Sequence, residues 1–280
     1  MNEAEFIAAV RPLAGDLAAR GLLDDAAVLG DLVMTHDVLV EGVHFRPGDA
    51  AEDVAWKLVA VNLSDLAAKG AQPMGVLLGY PLGDDRWDRA FVAGLDEVLT
   101  RYGVPLLGGD TVKGPRVLSL TALGRAPHVV PSRSGARPGH ELWVTGTIGL
   151  AGLGLRNEGG AAAARAYLRP EPLLAEGQAL GPVASAMMDV SDGLLIDAQR
   201  MAKASEVALT IALDQVPVAG DPLAAVTAGD DYQLLFALPP GTTCPVPATK
   251  IGLFSAGGGL RLTDGGVERP LPARLGYSHG

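Results

Sequence analysis

The stretch from residue 52 to residue 69 restricts the fold more than any other part of this chain. Its apolar residues recur at spacings of three and four, which predicts a helix with one face in a core. They are Trp56, Val59, Leu63 and Leu66. Asn62, Asp65 and Lys69 form a second, polar stripe at the same spacing. The sequence therefore predicts a helix that packs on one face and carries polar groups on another.

Asp65 is unusual because apolar residues surround it in the sequence, where a carboxylate needs a cation or hydrogen-bond donors. An aspartate late in an amphipathic helix more often faces water or pairs with a lysine, so Asp65 alone does not define a site. Other aspartates, however, lie at the ends of apolar runs beside Gly, Ser or Thr. They are Asp24, Asp25, Asp37, Asp110, Asp189 and Asp192. If several of these meet in space, a divalent cation is needed to offset their repulsion.

Composition excludes several classes of protein. The 280 residues are 48% hydrophobic, so the chain can bury a large core in one large or two medium domains. A net charge of -10 argues against nucleic acid or an anionic membrane as the main partner. The lone Cys244 excludes an internal disulfide, and no apolar run is long enough to span a membrane. We therefore expect a cytoplasmic protein.

Helix and strand patterns alternate along the chain, which predicts an α/β fold. Predicted helices cover 3–20, 52–69, 84–101 and 173–188, and another begins at 194. Predicted strands cover 22–29, 32–40, 75–80, 104–107, 117–123, 142–145, 208–213, 232–238, 250–254 and 260–262. Prolines and glycines between 125 and 140 mark a boundary, which divides the chain into domains 1–126 and 127–280.

Two turns are candidates for ligand contacts. Gly108-Gly109-Asp110-Thr111 offers a close backbone approach and metal-type oxygens, although such a turn more often belongs to a hairpin. In Asp189-Val190-Ser191-Asp192-Gly193, Asp192 or Ser191 can cap the helix that follows. Capping explains one of these polar residues but not all of them, so this turn is the more informative.

Well-known phosphate and metal motifs are absent from the sequence. It has no P-loop, protein-kinase loop, zinc spacing or nucleophile elbow, and the glycines of 146–154 have the wrong spacing for a dinucleotide site. His36 and His44 are possible ligands or bases, although single histidines more often only form hydrogen bonds. A site rich in Asp and poor in Cys and His favours Mg²⁺ over Zn²⁺.

Taken in order, the motifs resemble those of the thiamine-monophosphate kinase family over nearly the whole chain. They are Asp24-Asp25-Ala26-Ala27-Val28, residues 35–45 (THDVLVEGVHF), residues 61–71 (VNLSDLAAKGA), Gly108-Gly109-Asp110-Thr111, Arg133-Ser134-Gly135-Ala136, Val144-Thr145-Gly146-Thr147, Asp189-Val190-Ser191-Asp192-Gly193 and Gly229-Asp230-Asp231-Tyr232. Single motifs are shared with aminoimidazole ribonucleotide synthase, selenophosphate synthetase and the hydrogenase-maturation dehydratase. The stretch Val40-Glu41-Gly42-Val43-His44-Phe45 and the terminal Gly276-Tyr277 favour the kinase.

The resemblance implies ATP-dependent phosphorylation of thiamine monophosphate to thiamine diphosphate. It also implies two α/β domains of the aminoimidazole ribonucleotide synthase-like fold and a homodimer, in which the N-terminal sheets form an intersubunit barrel and ATP binds near the subunit contact. The implied magnesium ligands are Asp25, Thr35, Asp37, Asp65, Asp110, Asp189 and Asp192. The implied nucleotide contacts are Tyr102, Gly109, Asp110, Arg133 and Ser191, and the implied substrate contacts are His44, Asp230 and Tyr277. Asp65, Asp110, Arg133 and Asp192 are the implied catalytic residues.

Four departures from the family pattern leave details open. Leu23 stands where the family usually has glycine, His36 where it has a hydroxyl residue, and Leu150 where it has an acid. Asp230 and Gln233 stand where it has glutamates, and Asp230 has the shorter reach.

The implied chemistry needs no general base, since a phosphate acceptor is already a nucleophile at neutral pH. Direct transfer without a phosphoenzyme is therefore expected. Three alternatives remain open from the sequence: another ATP-dependent enzyme of the superfamily, a Mg-nucleotide-binding regulator without turnover, and an Asp-rich phosphohydrolase.

Overall fold

A computed structural model describes residues 1–127 and 129–278 of the chain. The first half forms a five-stranded sheet in the order β1-β2-β5-β3-β4. Its strands are β1 (Ala27–Leu29), β2 (Leu32–Val40), β3 (Gln72–Leu82), β4 (Leu106–Lys113) and β5 (Val117–Arg125). Its helices are α1 (Glu3–Val10), α2 (Ala51–Ala68) and α3 (Asp85–Tyr102). Asp84 caps α3 through the backbone N–H groups of Arg86 and Trp87, and Gly103 ends it, as the sequence predicts.

The second half forms a seven-stranded sheet in the order β12-β11-β8-β10-β6-β9-β7. Its strands are β6 (Glu141–Val144), β7 (Ala186–Asp189), β8 (Ala208–Ala212), β9 (Leu234–Leu238), β10 (Thr249–Ser255), β11 (Gly259–Asp264) and β12 (Val267–Arg269). Its helices are α4 (Leu150–Leu155), α5 (Gly160–Leu168), α6 (Leu174–Leu180), α7 (Leu194–Ala204) and α8 (Pro222–Val226). Each sheet has its own apolar core, and the boundary at residue 126 stays a prediction.

Helix α2 joins the two halves. Val59, Leu63 and Leu66 are fully buried against the first sheet, as their spacing predicts. At its C-terminal end, Ala67 and Ala68 pack instead with residues of the second half. Gly177 in α6 permits this approach, because a Cβ there would lie 2.0 Å from the Ala67 carbonyl oxygen. The polar stripe of α2 therefore lies where the two halves meet.

One face of the first sheet is covered by α2 and α3, whereas the opposite face carries exposed side chains in the described part of the chain. Along β2, Val33, Thr35 and Leu39 are buried, whereas His36 and Val38 are exposed. This alternation is the pattern of a strand with one face in a core. Several large apolar side chains of the same sheet are more than a third exposed. They are Val38, Met74, Leu77, Leu82, Leu106, Leu107, Val112 and Val117.

Four predicted elements are wrong in part. Of the predicted strand 22–29, only Ala27–Leu29 forms β1. The predicted helix 3–20 ends at Val10, since Pro12 and Gly15 interrupt it, and short 3-10 turns follow. The predicted helix 173–188 ends at Leu180 before Gly181-Pro182, and its last residues form β7. Gly108-Gly109-Asp110-Thr111 lies inside β4 rather than in a turn. Among the described residues, no helix has both the length and the apolar character needed to cross a membrane.

Candidate active site

Three carboxylates from distant parts of the chain meet at the junction of the two halves. Asp25 precedes β1, Asp65 lies in α2, and Asp189 ends β7. One oxygen of each lies within 4.8 Å of the others, which is a spacing that suits a shared metal ion. The structure therefore brings together three of the seven predicted magnesium ligands in a single group.

Neighbouring hydroxyl groups orient these carboxylates. The Thr35 hydroxyl on β2 donates its hydrogen bond to the Asp65 carboxylate, and it also lies 3.3 Å from the Asp25 carbonyl oxygen. Ser64 donates a 2.6 Å hydrogen bond to Asp189. The Asp37 backbone N–H donates to the Asn62 side-chain oxygen at 3.2 Å, which ties β2 to the polar stripe of α2. Thr35 and Asp37 thus lie next to the group, and their role as metal ligands stays a prediction.

Burial and mutual repulsion make part of this group reluctant to ionise. Burial, followed by the charges of Asp37, Asp189 and Asp25, raises the pKa of Asp65 well above its usual value. Burial and the Asp25 charge raise the pKa of Asp189 to about 8. Burial and the charges of Asp25 and Asp192 raise the pKa of Asp37 to about 6. Such shifts indicate negative charge that lacks a compensating cation.

Asp25 has the opposite environment, although it belongs to the same group. The Lys69 ammonium lies 2.6 Å from both the Asp24 and the Asp25 carboxylates, and the Arg133 guanidinium also donates to Asp25. Burial would raise the pKa of Asp25, but the Arg133 and Lys69 charges outweigh it and hold that pKa well below its usual value. Arg133 therefore lies beside the predicted metal ligands, where it neutralises one of them.

The turn after β7 is held by Asp197 rather than by the predicted caps. The Asp197 carboxylate accepts the backbone N–H groups of Ser191, Asp192 and Gly193 at 3.1 to 3.2 Å. The prediction that Asp192 or Ser191 caps α7 is therefore wrong, because an acid one turn inside the helix takes that role. Asp192 instead forms a 2.5 Å ion pair with Arg200, and it also lines the cavity beside the carboxylates.

A cavity of about 600 Å³ opens beside the carboxylates. Its lining includes five predicted metal and nucleotide residues, which are Asp37, Asp65, Asp189, Ser191 and Asp192. It also includes all three predicted substrate residues, which are His44, Asp230 and Tyr277. A cavity of this volume suits a small molecule. The two predicted groups of residues therefore line the same space.

Asp230 is held in this cavity by a strained and well-anchored loop. Asp230 and Tyr232 have φ angles of 69° and 49°, a conformation that L-residues rarely adopt. Lys57 of α2 forms a 2.8 Å ion pair with Asp230, and the Tyr232 hydroxyl donates to it at 3.1 Å. Asp231 secures the loop by accepting the backbone N–H groups of Gly149 and Ala151. These contacts thus fix the position of the Asp230 carboxylate in the cavity.

The other two substrate residues are also positioned by backbone contacts. His44 Nδ1 accepts the Val40 N–H at 3.0 Å, and the Lys57 ammonium donates to the His44 carbonyl oxygen at 3.1 Å. The Tyr277 N–H donates to the Asp192 carbonyl oxygen at 2.9 Å, while its ring is 45% exposed. Lys57 thus connects His44 with Asp230.

Three predicted nucleotide and metal residues lie elsewhere in the single chain. Gly109 and Asp110 are exposed on the edge strand β4, and Tyr102 packs edge-on against Trp56 at 5.9 Å. Strands β5 and β3 separate β4 from β2, so Asp110 and Asp37 are on the order of 14 Å apart, three strand spacings. One chain therefore does not bring Asp110 to the carboxylate group.

Sequence reasoning missed several residues that shape the site. Lys57, Ser64, Asp197 and Arg200 orient predicted site residues, yet none of them was singled out. Lys57 lies about three turns before Lys69 in the same apolar segment. Two lysines in so apolar a helix are a signal from which buried ion pairs could have been predicted.

Comparison with known proteins agrees with this geometry. The family model described as AIR synthase related protein, N-terminal domain, matches residues 23–126, and the corresponding C-terminal domain model matches 137–263. The thiamine-monophosphate kinase of Caulobacter vibrioides is 39% identical to this chain, across 97% of this chain and 88% of that relative. The chain belongs to the thiamine-monophosphate kinase family.

Solved structures of thiamine-monophosphate kinases share the fold. The structure of AaThiL complexed with AMPPCP and TMP matches with a TM-score of 0.87 at 27% identity, over 100% of this chain and 97% of that one. The thiamine-monophosphate kinase of Stenotrophomonas maltophilia K279a matches with a TM-score of 0.77 at 34% identity, over 95% and 96% of the two chains. The predicted two-domain α/β fold is thereby confirmed, while the intersubunit barrel stays a prediction.

Proposed function

We propose that this enzyme phosphorylates thiamine monophosphate to thiamine diphosphate at the expense of ATP, in the cytoplasm. The observation that carries the proposal is the cavity in which an unneutralised carboxylate wall adjoins His44, Asp230 and Tyr277. A phosphate acceptor and a nucleotide are both polyanions, so a carboxylate wall binds them only through cations. The AaThiL relative, which was solved with AMPPCP and TMP, supports the same pair of ligands.

The residues present fit Mg²⁺. Asp189 is buried, Asp37 and Asp65 are partly buried, and among the described residues no lysine or arginine forms an ion pair with the three. Oxygen ligands of this kind are those that Mg²⁺ prefers. The proposed ligand set is Asp25, Thr35, Asp37, Asp65, Asp110, Asp189 and Asp192. When bound, Mg²⁺ would neutralise and align the two phosphate groups.

The chain's own residues then have to position the acceptor. An oxygen of the thiamine monophosphate phosphate forms the new bond to the γ-phosphorus, and the bond from that phosphorus to the β,γ-bridging oxygen breaks to release ADP. No proton has to be removed, so positioning dominates the rate. We assign that task to Asp230 and His44, which Lys57 holds together, and to Tyr277, whose half-exposed ring offers a flat surface to the thiamine ring.

Tyr102, Gly109, Ser191 and Arg133 are proposed to contact the nucleotide, with Arg133 also counted among the catalytic residues. Of these residues, Ser191 has the best structural support. It lines the cavity, and its backbone N–H donates to Asp197, which fixes its position. Arg133 forms an ion pair with Asp25. Its positive charge therefore acts on the transferred group either by orienting Asp25 or directly, once the ion pair with Asp25 is broken.

We also propose a homodimer whose contact includes the uncovered face of the first sheet. That face carries exposed Val38, Leu77 and Leu107, and an apolar sheet face of this kind is typical of a protein interface. Asp110 and Gly109 lie on the exposed edge strand, where a partner subunit can reach them. The dimer would then supply the nucleotide contacts that the single chain keeps apart.

The test is mass spectrometry of the products after incubation with ATP, Mg²⁺ and thiamine monophosphate. We expect thiamine diphosphate and ADP in equal amounts. Folded, ATP-binding protein that makes no thiamine diphosphate would refute the proposal. ADP with a different phosphorylated acceptor would indicate another enzyme of the superfamily. Release of free phosphate would indicate a phosphohydrolase. Unchanged ATP would indicate a nucleotide-binding regulator.

A separate experiment examines direct transfer. Protein incubated with γ-³²P-labelled ATP alone should remain unlabelled after denaturation, because the transfer goes straight to the acceptor phosphate. A trapped phosphoprotein would contradict this step without contradicting the overall reaction.

A further inference from the structure

Lys69 has an environment that resembles the coordination of a metal ion. Its ammonium is fully buried and donates to three oxygens, at 2.6 Å to Asp24, 2.6 Å to Asp25 and 3.1 Å to the Met187 carbonyl. The two aspartates and the carbonyl come from different parts of the fold and converge on this one point. Carboxylate and carbonyl oxygens arranged in this way are also the ligands that divalent cations take.

Positive side chains divide the acidic cluster into two parts. Asp24 and Asp25 together contact Lys69, Arg133 and Arg20, so this part carries no excess negative charge. No lysine or arginine within the described residues pairs with Asp65 or Asp189, although both lie beside Asp25. Arg20 contacts Asp24 and the Arg133 guanidinium contacts Asp25, whereas the Lys69 ammonium contacts both carboxylates.

We propose that the Lys69 ammonium occupies the place of a divalent cation between Asp24 and Asp25, and thereby reduces by one the number of metal ions that the acidic cluster binds. Asp25 then contributes to the remaining metal site with an orientation fixed by Lys69 and Arg133. Lys69 is a positioning residue, since it acts through Asp25 and does not reach the cavity. The inference rests on the proposed magnesium role of the cluster but not on the identity of the phosphate acceptor.

A second consequence concerns the joint between the two halves. Lys69 ends α2, Asp24 and Asp25 precede β1, and Met187 belongs to β7. A monovalent ammonium that is part of the chain keeps these elements together even when no metal ion is bound. The part of the cluster that contains Asp24 and Asp25 is therefore formed without metal. The part that contains Asp65 and Asp189 depends on an added cation.

Counting bound Mn²⁺ in nucleotide-free protein tests the proposal. Electron paramagnetic resonance or equilibrium dialysis would compare the wild type with Lys69→Met, which keeps the length of the side chain and removes its charge. We expect Lys69→Met to bind one more Mn²⁺ per chain and to gain more in melting temperature on addition of Mn²⁺. Lys57→Met is the matched control, since it removes the other buried lysine of α2 and should keep the wild-type number of ions.

Two further variants decide the case if Lys69→Met does not fold without metal. Mn²⁺ should then restore its folding, and Lys69→Arg should fold and keep the wild-type count. Asp24→Asn should also keep that count, because Asp24 serves Lys69 and Arg20 rather than a metal ion. An unchanged count in folded Lys69→Met, failure of Mn²⁺ to rescue it, or loss of an ion in Asp24→Asn would overturn the inference. Wild-type protein that binds no Mn²⁺ would instead contradict the proposed metal site itself.

Discussion

Ser64 of α2 donates a 2.6 Å hydrogen bond to the carboxylate of Asp189, 125 residues later in the chain. Both residues are buried, and they belong to different halves of the protein. The bond fixes the orientation of a proposed metal ligand from the second sheet by means of a helix that packs on the first. The acidic cluster is therefore complete only when both halves are docked.

Replacing Ser64 with alanine should weaken metal binding. The substitution removes the hydroxyl that orients Asp189 and leaves the carboxylate with one hydrogen bond fewer. Loss of such an outer partner costs about tenfold or more in metal affinity. A Mn²⁺ titration of folded Ser64→Ala checks this, with the exposed Ser255→Ala as control. Equal affinities in the two variants would remove Ser64 from the site.

Asp65→Asn should abolish most activity while leaving the fold intact. The change removes one negative charge from the cluster and keeps the shape of the side chain. We expect kcat to fall by about a hundredfold or more. Metal-free Asp65→Asn should also melt at a higher temperature than the wild type at neutral pH, since asparagine has no carboxyl whose ionisation the folded state suppresses. Glu52→Gln, on the first turn of the same helix, is the control, and wild-type turnover of Asp65→Asn would exclude Asp65 from the reaction.

The stability of the metal-free protein should fall as the pH rises from about 4 to about 8. The folded pKa of Asp189 is raised to about 8 and that of Asp37 to about 6, whereas both are near 3.8 when unfolded. The folded state therefore holds protons that the unfolded state has released in this interval, and unfolding becomes easier. Mg²⁺ should raise the melting temperature more at pH 8 than at pH 6. Thermal melts in EDTA and in Mg²⁺ check both statements, and a metal-free stability that rises over this interval would contradict them.

Asp230→Asn should raise KM for thiamine monophosphate more than KM for ATP. Asp230 lines the cavity, where its backbone N–H donates to the Ser191 carbonyl oxygen at 2.8 Å and Lys57 matches its charge. The substitution leaves Lys57 buried without its ionic partner, so the Michaelis constant for the acceptor should rise by about tenfold or more. Steady-state kinetics in both substrates distinguishes the two effects, with the exposed Asp264→Asn as control. A selective increase in KM for ATP would move Asp230 to the nucleotide side.

Gly109→Ala should disrupt both the dimer and the activity. Gly109 has a φ of 155°, and a Cβ at this position would lie 1.9 Å from the Leu78 carbonyl oxygen of β3. The edge strand β4 would have to move away from its neighbour. Light scattering should show more monomer in Gly109→Ala than in Gly114→Ala, where an added Cβ meets nothing within 4 Å. A fully dimeric and active Gly109→Ala would contradict the proposed role of this edge.

Local patterns were sufficient to predict the helix that organises the site. The predicted apolar residues of α2 are buried, but the helix is enclosed on nearly all sides, and the polar Lys57, Asn62 and Ser64 are buried as well. The predicted helix 173–188 failed because its apolar run passes through Gly181-Pro182 into a buried strand, and apolar runs alone do not distinguish the two. The cap at Asp197 was also missed. Its three N–H partners precede it by four to six residues, whereas a usual capping residue stands before the helix.

The sequence alone could not predict which residues pair with the aspartates. Asp189 and Asp65 were recognised as members of one set, since each ends an apolar run or interrupts an apolar helix. Arg133 lies 108 residues from Asp25, and Lys57 lies 173 residues from Asp230. Such pairs depend on how the two sheets dock, which no periodicity in the chain records. Whether an aspartate faces a metal ion or an internal cation is therefore a property of the fold.

The most direct measurement follows the transferred phosphoryl group with an isotope. ATP labelled with ¹⁸O in its terminal phosphoryl group would be incubated with the protein, Mg²⁺ and thiamine monophosphate, and the products would be analysed by mass spectrometry. The account predicts that the label appears in the terminal phosphate of thiamine diphosphate, with unlabelled ADP as the other product. Label released as free phosphate, with thiamine monophosphate unchanged, would contradict it.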